Sequence, residues 1–335
     1  MKIVWLTICF FVVMLVLAGC AQNQKAGQNG QKTDNGSAPR SEPPSRYAMI
    51  PASAHKVAPE EDPYPPILES DQYEEPVPLG PPIDSAGAED SPFITPDGNR
   101  MYFFFTPDTA VPAEKQLLDN VTGIYVSRKT ASGWDEPERV ILEDPGQLAL
   151  DGCEFVQGQV MWFCSAREGY SGVNFFTARS SGGGWKDISY VGDRLMEEYR
   201  MGEMHITSDG TELYFHSDRQ GGYGGLDLWV SKMGSNGWME PENVAPVNSA
   251  GDEGWPFISE DGDELWFTRF YQGSPAIFRS LRENGSAWGA PRLMIRHFAG
   301  EPTLDQAGDI YFTHHFYKDN RMIEADIYVA KKKQT

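Results

Sequence analysis

The sequence predicts an all-β fold built from five repeated units, and two periodic patterns support this prediction. Tryptophan preceded by Gly or Ala recurs at intervals of 51, 53 and 50 residues. Asp-Gly turns between strand-forming residues recur with them, over residues 94–103, 206–215 and 258–267. Such turns are strong hairpin signals because glycine accepts their positive φ. The periodic tryptophans, which we expect to pack unit against unit, are Trp134, Trp185, Trp238 and Trp288.

The N-terminal part of the predicted fold contains a strand that the C-terminal unit lacks. The fifth unit stops after its third strand, Ile327–Val329, whereas residues 75–87 align with residues 240–251, the outer strand of the third unit. We therefore expect the N-terminal strand to complete the last unit and to close a ring. The sequence thus predicts a five-bladed β-propeller of four-stranded antiparallel blades over residues 72–335.

The N-terminus has the pattern of an export signal. Lys2 precedes an apolar run over residues 3–17, which is shorter than the roughly 20 residues of a membrane-spanning helix. Leu17-Ala18-Gly19-Cys20 resembles the lipobox of bacterial lipoproteins. The resemblance implies removal of residues 1–19, lipidation of Cys20 with acyl chains such as palmitate, and, because residue 21 is not Asp, an outer-membrane location. An ordinary secretory signal with an incidental cysteine is the alternative.

Residues 20–71 are rich in Gln, Asn, Gly, Ser and Pro and have no aliphatic periodicity. Such a composition buries too little apolar surface to fold, so we predict a lipidated, disordered linker. The net charge of −20 excludes a nucleic-acid partner, because binding to phosphate backbones requires clustered Lys and Arg. Membrane contact is therefore expected through the lipid alone, and the protein is expected to be a monomer in the cell envelope, either in the periplasm or at the cell surface.

Two cysteines remain after export, Cys153 and Cys164. They flank the hairpin at Gln157-Gly158 almost symmetrically, so antiparallel pairing places them opposite each other. In an oxidising compartment this predicts a disulfide. Two buried thiols that serve as small core residues are the alternative.

The third unit carries a recognisable motif. Ser217–Trp229, with the preceding Ser208–Phe215, resembles the WD40-like repeat of TolB-type propellers, and the resemblance extends over residues 75–333. The second unit departs from it at residues 156–159, and the first carries an insertion between Pro107 and Thr122. The resemblance implies a propeller with a protein or cell-envelope partner. The resemblance does not indicate any particular activity, because propellers include both enzymes and noncatalytic binding proteins.

Acidic residues precede the innermost strand of every unit, and a propeller brings these strand ends together at the mouth of its central channel. Clustered carboxylates raise one another's pKa, can bind Ca²⁺, or can form a glycosidase acid/base pair. Capping of backbone amides is the structural alternative. The candidate binding residues at the channel mouth are Asp90, Glu154, Arg200, Glu203, His205, Glu253, Arg269, His297 and Glu301.

The function expected from the sequence is a noncatalytic binding or scaffolding module, with a cell-envelope protein or a glycan as partner. No catalytic residue is assigned and no cofactor is predicted beyond Ca²⁺ as a candidate. The alternative is a glycan-active enzyme of the arabinanase type that uses the channel-mouth carboxylates. A deep, aromatic-lined channel with paired carboxylates favours the enzyme, whereas a narrow channel filled by side chains favours the binder.

Overall fold

The computed structural model describes residues 45–144, 146–191, 201–283 and 287–334. These residues form two short α-helices, α1 (Arg46–Met49) and α2 (Ala113–Gln116), and one 3₁₀ turn at Pro59–Glu61. None of the helices in the described ranges is long and apolar enough to cross a bilayer. Everything else of regular structure is β-strand.

Twenty-four strands follow one another along the described chain. The first group is β1 (Ile67–Leu68), β2 (Val77–Pro78), β3 (Ala88–Ile94), β4 (Arg100–Thr106), β5 (Gly123–Thr130), β6 (Gly133–Trp134) and β7 (Glu138–Arg139). The second is β8 (Ala149–Gln157), β9 (Val160–Arg167), β10 (Asn174–Ser181), β11 (Gly184–Tyr190), β12 (Met201–Ile206), β13 (Glu212–Ser217), β14 (Asp227–Gly234), β15 (Gly237–Trp238) and β16 (Glu242–Asn243). The third is β17 (Glu253–Ile258), β18 (Glu264–Tyr271), β19 (Ser274–Glu283), β20 (Ala287–Trp288), β21 (Arg292–Arg296), β22 (Ala299–Leu304), β23 (Ile310–Lys318) and β24 (Arg321–Ala330).

The strands form antiparallel meanders in which consecutive strands pair, as the hairpin signals predict. Hydrogen bonding groups them into four sheets, of nine, four, five and six strands. The nine-stranded sheet joins two meanders, β22-β23-β24 and β3-β4-β5, through one parallel pair between Ala88 and Ala325. The meanders therefore follow the sequence repeats, although the number of sheets is four.

The first strand of each meander is bent at the same place. A β-bulge interrupts the register between Asp90 and Phe93 of β3, and corresponding bulges occur in β8, β12, β17 and β22. Four bulge residues have positive φ, namely Ser91 (49°), Cys153 (55°), Trp255 (52°) and Glu301 (58°). Bulges redirect side chains and increase strand twist. They turn these residues toward the space that the five first strands enclose.

Three of the four periodic tryptophans, Trp185, Trp238 and Trp288, pack between neighbouring units, as predicted. Trp185 contacts Tyr102 of the preceding unit with ring centroids 6.4 Å apart, and Trp288 contacts Tyr214 at 6.0 Å. Trp238 lies 6.4 Å from Trp162 in the same way. Each pair is close to edge-on, an arrangement that aromatic rings favour. The repeat therefore maintains these residues for packing rather than for ligand contact.

The N-terminal strand completes the last unit. In β2, Val77 pairs with Val329 and Pro78 with Tyr328 of β24. Asp84, further along the same segment, accepts a hydrogen bond from the Ile327 amide at 3.0 Å. The predicted pairing of the two chain ends is confirmed.

The prediction of a disordered linker up to Asp71 is wrong from Arg46 onward. Arg46 is 3% exposed and contacts Glu89, and Lys56 binds Glu324 and Asp326. Further on, the segment adds β1 to the edge of β21. The compositional argument failed because buried ion pairs with the propeller, together with Ile50, Val57 and Leu68 packed against its core, order this segment. Residues 1–44, which include the predicted signal peptide and Cys20, lie outside the described residues.

Candidate functional site

One cavity lies where the five first strands converge. Its empty space is about 370 Å³, part of it open to solvent. Each strand contributes three consecutive residues from its bulge: Ser91–Phe93, Cys153–Phe155, Glu203–His205, Trp255–Phe257 and Glu301–Thr303. The repeat therefore places five equivalent tripeptides around one axis.

The third residue of four of the five tripeptides is aromatic, and these four rings form one layer of the cavity wall, whereas the fifth tripeptide has Thr303 there. The His205 ring lies 4.6 Å from Phe257, 5.0 Å from Phe155 and 5.9 Å from Phe93. Its Nδ1 accepts a hydrogen bond from the Ile258 amide at 3.1 Å. Burial lowers the pKa of His205 to about 3, so this histidine is neutral. The predicted mouth residue is therefore part of a packed ring cluster.

Carboxyl groups gather at the other end. Glu301 accepts hydrogen bonds at Oε2 from the Ser91 amide, 2.6 Å away, and from the Thr313 hydroxyl, 2.8 Å away. The Ser91 hydroxyl donates to Glu203 Oε1 at 2.7 Å. Ser91, at the bulge of β3, thus donates hydrogen bonds to the carboxylates of both Glu203 in β12 and Glu301 in β22.

Glu154 completes the acidic group and differs from its neighbours. It is only 5% exposed, and no other residue in the described part of the chain donates a hydrogen bond to either of its carboxylate oxygens. Its side chain lines the cavity, in a position where the other four tripeptides have Pro or Met. A buried carboxyl group without donors is costly. The cavity therefore lacks a partner for Glu154.

The environment makes these groups weak acids. Burial, followed by the charge of Glu301, raises the pKa values of Asp90 and Glu203 well above their usual range. Burial, followed by the charge of Glu203, does the same for the pKa of Glu154. The pKa of Glu301 is also raised by burial, but its hydrogen bonds from Ser91 and Thr313 oppose the shift. The environment therefore favours the protonated form of each of these carboxyl groups.

Asp90 stands at a position where the other units have glycine. Its equivalents by strand register are Gly152, Gly202, Gly254 and Gly300. A Cβ at Gly152 or Gly300 would lie 3.1 or 3.3 Å from a side chain of the preceding unit, so the repeat favours glycine there. An alignment of the repeats would have shown that only the first unit has a residue other than glycine at this position. This departure from the repeat indicates a function for Asp90 more strongly than its charge does.

Asp90 has an unpredicted neighbour. Ligand atoms of Asp90, Glu301 and His315 all lie within 4.8 Å of one another. His315 comes from the second strand of its unit, β23, rather than from a first strand. Burial lowers the pKa of His315 to about 3, so the imidazole is neutral. Sequence analysis missed His315 because no repeat position distinguishes it.

Glu253 and Arg269 do not line the cavity. Glu253 accepts hydrogen bonds from the Ser249 amide at 3.0 Å and from Arg269 Nε at 2.7 Å. Glu89, at the equivalent position, binds Ser85 and Arg46 in the same manner. These two acids cap backbone amides, which is the structural alternative stated for the acidic positions.

The other predicted site residues are placed as follows. His297 is half-buried beside Arg296, with Nε2 3.0 Å from Arg296 Nη1, and it does not line the cavity. Arg200 and Cys20 lie outside the described residues. Trp255, which sequence analysis assigned no role, lines the cavity next to the carboxyl groups.

The predicted disulfide between Cys153 and Cys164 is confirmed, with the two Cα atoms 5.4 Å apart. The register differs by one residue from the prediction, because the bulge in β8 pairs Cys164 with Gly152. The bulge still brings the two sulfur atoms together. The disulfide therefore forms part of the cavity wall, immediately before Glu154.

No family model and no curated protein matches the sequence. Solved structures do match the fold. The endo-arabinase from Bacteroides thetaiotaomicron superposes with a TM-score of 0.51 at 12% identity, over 77% of this chain and 97% of that chain. An α-L-arabinofuranosidase from Lactobacillus brevis gives 0.51 at 10% identity, over 74% and 92% of the two chains.

TolB from Acinetobacter baumannii is also similar, with a TM-score of 0.45 and 14% identity over 75% of this chain. The match spans 56% of that TolB chain. TolB is therefore one of several propeller proteins that this chain resembles. By its fold, the chain is a β-propeller protein.

Proposed function

We propose that this protein is a glycan-active hydrolase of the cell envelope, a five-bladed propeller that cleaves a glycosidic bond in its central cavity. One observation carries the proposal: Glu154 and Glu203 come from neighbouring units and face one cavity, and the charge of Glu203 raises the proton affinity of Glu154. Two like charges held close in a buried site cannot both ionise easily, so one group keeps a proton. A protonated carboxyl group and a carboxylate are the pair that glycoside hydrolysis requires.

The proposed reaction uses the pair as acid and base. Glu203 donates its proton to the glycosidic oxygen as the bond to the anomeric carbon breaks. Water then bonds to that carbon and gives a proton to the Glu154 carboxylate. Trp255 lies beside the pair and offers a ring face against which a sugar can pack. The structural relatives named as arabinan-active enzymes make arabinans a reasonable first substrate class to test.

Hydrolysis is expected to depend on both members of the pair. Glu203→Gln and Glu154→Gln should each reduce turnover of a responsive polysaccharide by at least about 100-fold, because each removes one proton-transfer group. Glu240→Gln, whose side chain is 91% exposed, is the matched control and should retain full turnover. Reducing-end release from a panel of arabinans and envelope polysaccharides measures the effect. Release that survives both substitutions contradicts the assignment.

A noncatalytic binding module is the second candidate, and the size of the cavity favours it. The cavity volume of about 30 Å³ is far below the roughly 300–1,000 Å³ of ligand sites, so only a small part of a glycan could reach the carboxyl groups through the open end. A glycan that binds unchanged to the parent and is never cleaved supports this function instead. The TolB-like motif makes a cell-envelope protein the other partner to test.

We also propose that the chain is anchored through lipid on Cys20, in the outer membrane. The support is the Leu-Ala-Gly-Cys sequence after an apolar run. Cys20→Ser is expected to abolish acyl labelling and to move the protein into the aqueous phase of a detergent partition, since stable anchoring needs two or more acyl chains. A variant that stays labelled and membrane-bound rules out the anchor.

A further inference from the structure

We propose that the Cys153–Cys164 disulfide has the role that a proline has in other units, and that it positions Glu154 so that a carboxyl group faces the cavity. The bulge in β8 is the starting point. Gly152 pairs with Cys164 and Phe155 with Trp162, so Cys153 and Glu154 together oppose a single residue of β9. Cys153 has a φ of 55°, which is uncommon for a residue other than glycine. The surroundings of the bulge must therefore hold it in this conformation.

Three other units have a bulge of the same kind. Two residues oppose one at Ser91-Pro92 in the first unit, Trp255-Pro256 in the fourth and Glu301-Pro302 in the fifth. The first residue of each pair has a positive φ, as Cys153 has, and the second is always proline. Proline suits this position because its ring fixes φ, and because the extra residue of a bulge has no ladder hydrogen bond to lose.

The third unit has no proline because its bulge lies one residue earlier. Met201 pairs with Ser217 and Met204 with Phe215, so the extra residues are Gly202 and Glu203. Met204 is thus a paired strand residue. Proline therefore occurs in every unit that has the bulge of β8, except in the second unit itself.

The second unit combines a glutamate with a disulfide at this place. Glu154 has the position of the three prolines, and the residue before it is covalently bonded to Cys164 of the neighbouring strand. A proline ring and a disulfide both restrict the backbone and both reduce the freedom of the unfolded chain. The disulfide therefore supplies a constraint on the bulge that a glutamate cannot supply.

Glu154 depends on this constraint because no polar contact with another residue holds its carboxyl group. The residue is 5% exposed, and no other described residue donates a hydrogen bond to its oxygens. A buried carboxylate in that situation is stabilised by turning toward water. Cys153 lines the cavity and Cys164 is 1% exposed, so the disulfide links the bulge to the core. This link prevents the turn and keeps the carboxyl group in the cavity.

The effect of the disulfide on turnover rests on the proposed hydrolase function, in which Glu154 is the base. The two cysteines are then positioning residues, since they act through Glu154. Removing the disulfide should lower kcat at least about tenfold and leave KM unchanged, because the base no longer lies beside the attacking water. The effect of the disulfide on the bulge does not depend on hydrolysis.

The first test compares unfolding free energies of the full chain in denaturant at pH 8. Glu154→Gln is made in the parent and in the serine pair variant, Cys153→Ser with Cys164→Ser. We expect the stabilisation by Glu154→Gln to fall by at least half in the serine pair variant, because a freed bulge lets the carboxylate reach water. Glu253→Gln, a buried carboxyl group outside the cavity, is the matched control and should have equal effects in both proteins. Equal effects of Glu154→Gln in both proteins overturn the positioning role.

The second test asks whether proline and the disulfide are interchangeable. Glu154→Pro and Glu154→Gln both remove the carboxyl group, so their difference measures the proline ring alone. Glu154→Pro should be the more stable of the two in the serine pair variant, and the difference should be smaller in the disulfide-bonded parent, where the bulge is already constrained. A proline that gives no advantage in the serine pair variant contradicts the proposal.

Turnover separates this proposal from the hydrolase function. A parent without turnover on any glycan refutes the hydrolase function, while both unfolding tests still decide the role of the disulfide. Turnover that is the same with and without the disulfide overturns the positioning of Glu154. Thermal melting checks that each variant folds, and the parent reduced with dithiothreitol replaces the serine pair variant if that variant does not fold.

Discussion

Replacing Arg46 with alanine is expected to lower the free energy of unfolding by about 3–5 kcal/mol, the usual cost of breaking a buried ion pair. The Arg46 side chain is 2% exposed and the Glu89 side chain is fully buried. Nη1 donates to Glu89 Oε1 and to the Ile83 carbonyl oxygen, each at 2.8 Å, and Nη2 donates to the Pro82 carbonyl oxygen. The substitution leaves Glu89 buried beside Asp84 without its cation. Burial raises the pKa of Glu89 to about 8, so denaturant unfolding at pH 9, where this carboxyl group is ionised, measures the loss.

Two further variants identify the cause. Glu89→Gln combined with Arg46→Ala should recover part of the stability, because the uncompensated charge is removed. Arg128→Ala breaks a pair in which the two side chains are 52% and 70% exposed, and it should cost less than about 1 kcal/mol. An Arg46→Ala protein as stable as the parent would mean that the N-terminal segment is not held on the propeller.

The second large effect is a dependence of stability on pH that originates in the cavity. Burial raises the pKa of Glu154 in the folded state, whereas in the unfolded chain a glutamate titrates near about 4.3. The folded state therefore binds the proton more tightly. The stabilisation that the protonated Glu154 gives to the folded state is complete below about pH 4.3. It is lost as the pH rises through the pKa of Glu154 in the folded state. Asp90 and Glu203 act in the same direction.

Glu154→Gln should accordingly raise the free energy of unfolding at pH 8 by about 1–3 kcal/mol, since it removes a buried carboxylate without donors. At pH 5, where Glu154 of the parent is protonated to a greater extent, the difference between the two proteins should be smaller. Unfolding at both pH values, with a chelator present, measures the difference. Glu240→Gln is the exposed control and should follow the parent at both. Equal slopes for the parent and Glu154→Gln would show that this carboxyl group is solvated or paired.

The fold could be predicted because its units are local. A hairpin depends on residues close in sequence, so the Asp-Gly turns and the strands beside them could be predicted without any tertiary information. The pairing of β2 with β24 was also predictable, because residues 75–87 repeat the sequence of an outer strand. The grouping into four sheets could not be predicted, because it depends on one residue pair, between Ala88 and Ala325, that joins two meanders.

The site was predictable in kind but not in detail. Acidic residues before each first strand indicated a cluster, and Asp90, Glu154, Glu203 and Glu301 do lie close to one another. Glu253 has the same charge and the same approximate position, yet it caps the Ser249 amide. A one-residue shift along a strand reverses the face to which a side chain points, and the bulges add another such shift. Composition and spacing cannot show to which face of the strand such a side chain points.

By itself, the sequence determined that this protein has repeated four-stranded units, a last unit completed by the N-terminal strand, and a disulfide in the second unit, because each depends on local patterns or on matched repeats. The tertiary structure alone decided that Arg46 and Lys56 bind buried acids, that His315 lies beside Asp90 and Glu301, and that Glu154 faces a cavity in which no other described residue donates a hydrogen bond to it. These contacts join residues far apart in the chain. Their energies depend on burial and on the direction of each side chain, which only the closed fold establishes.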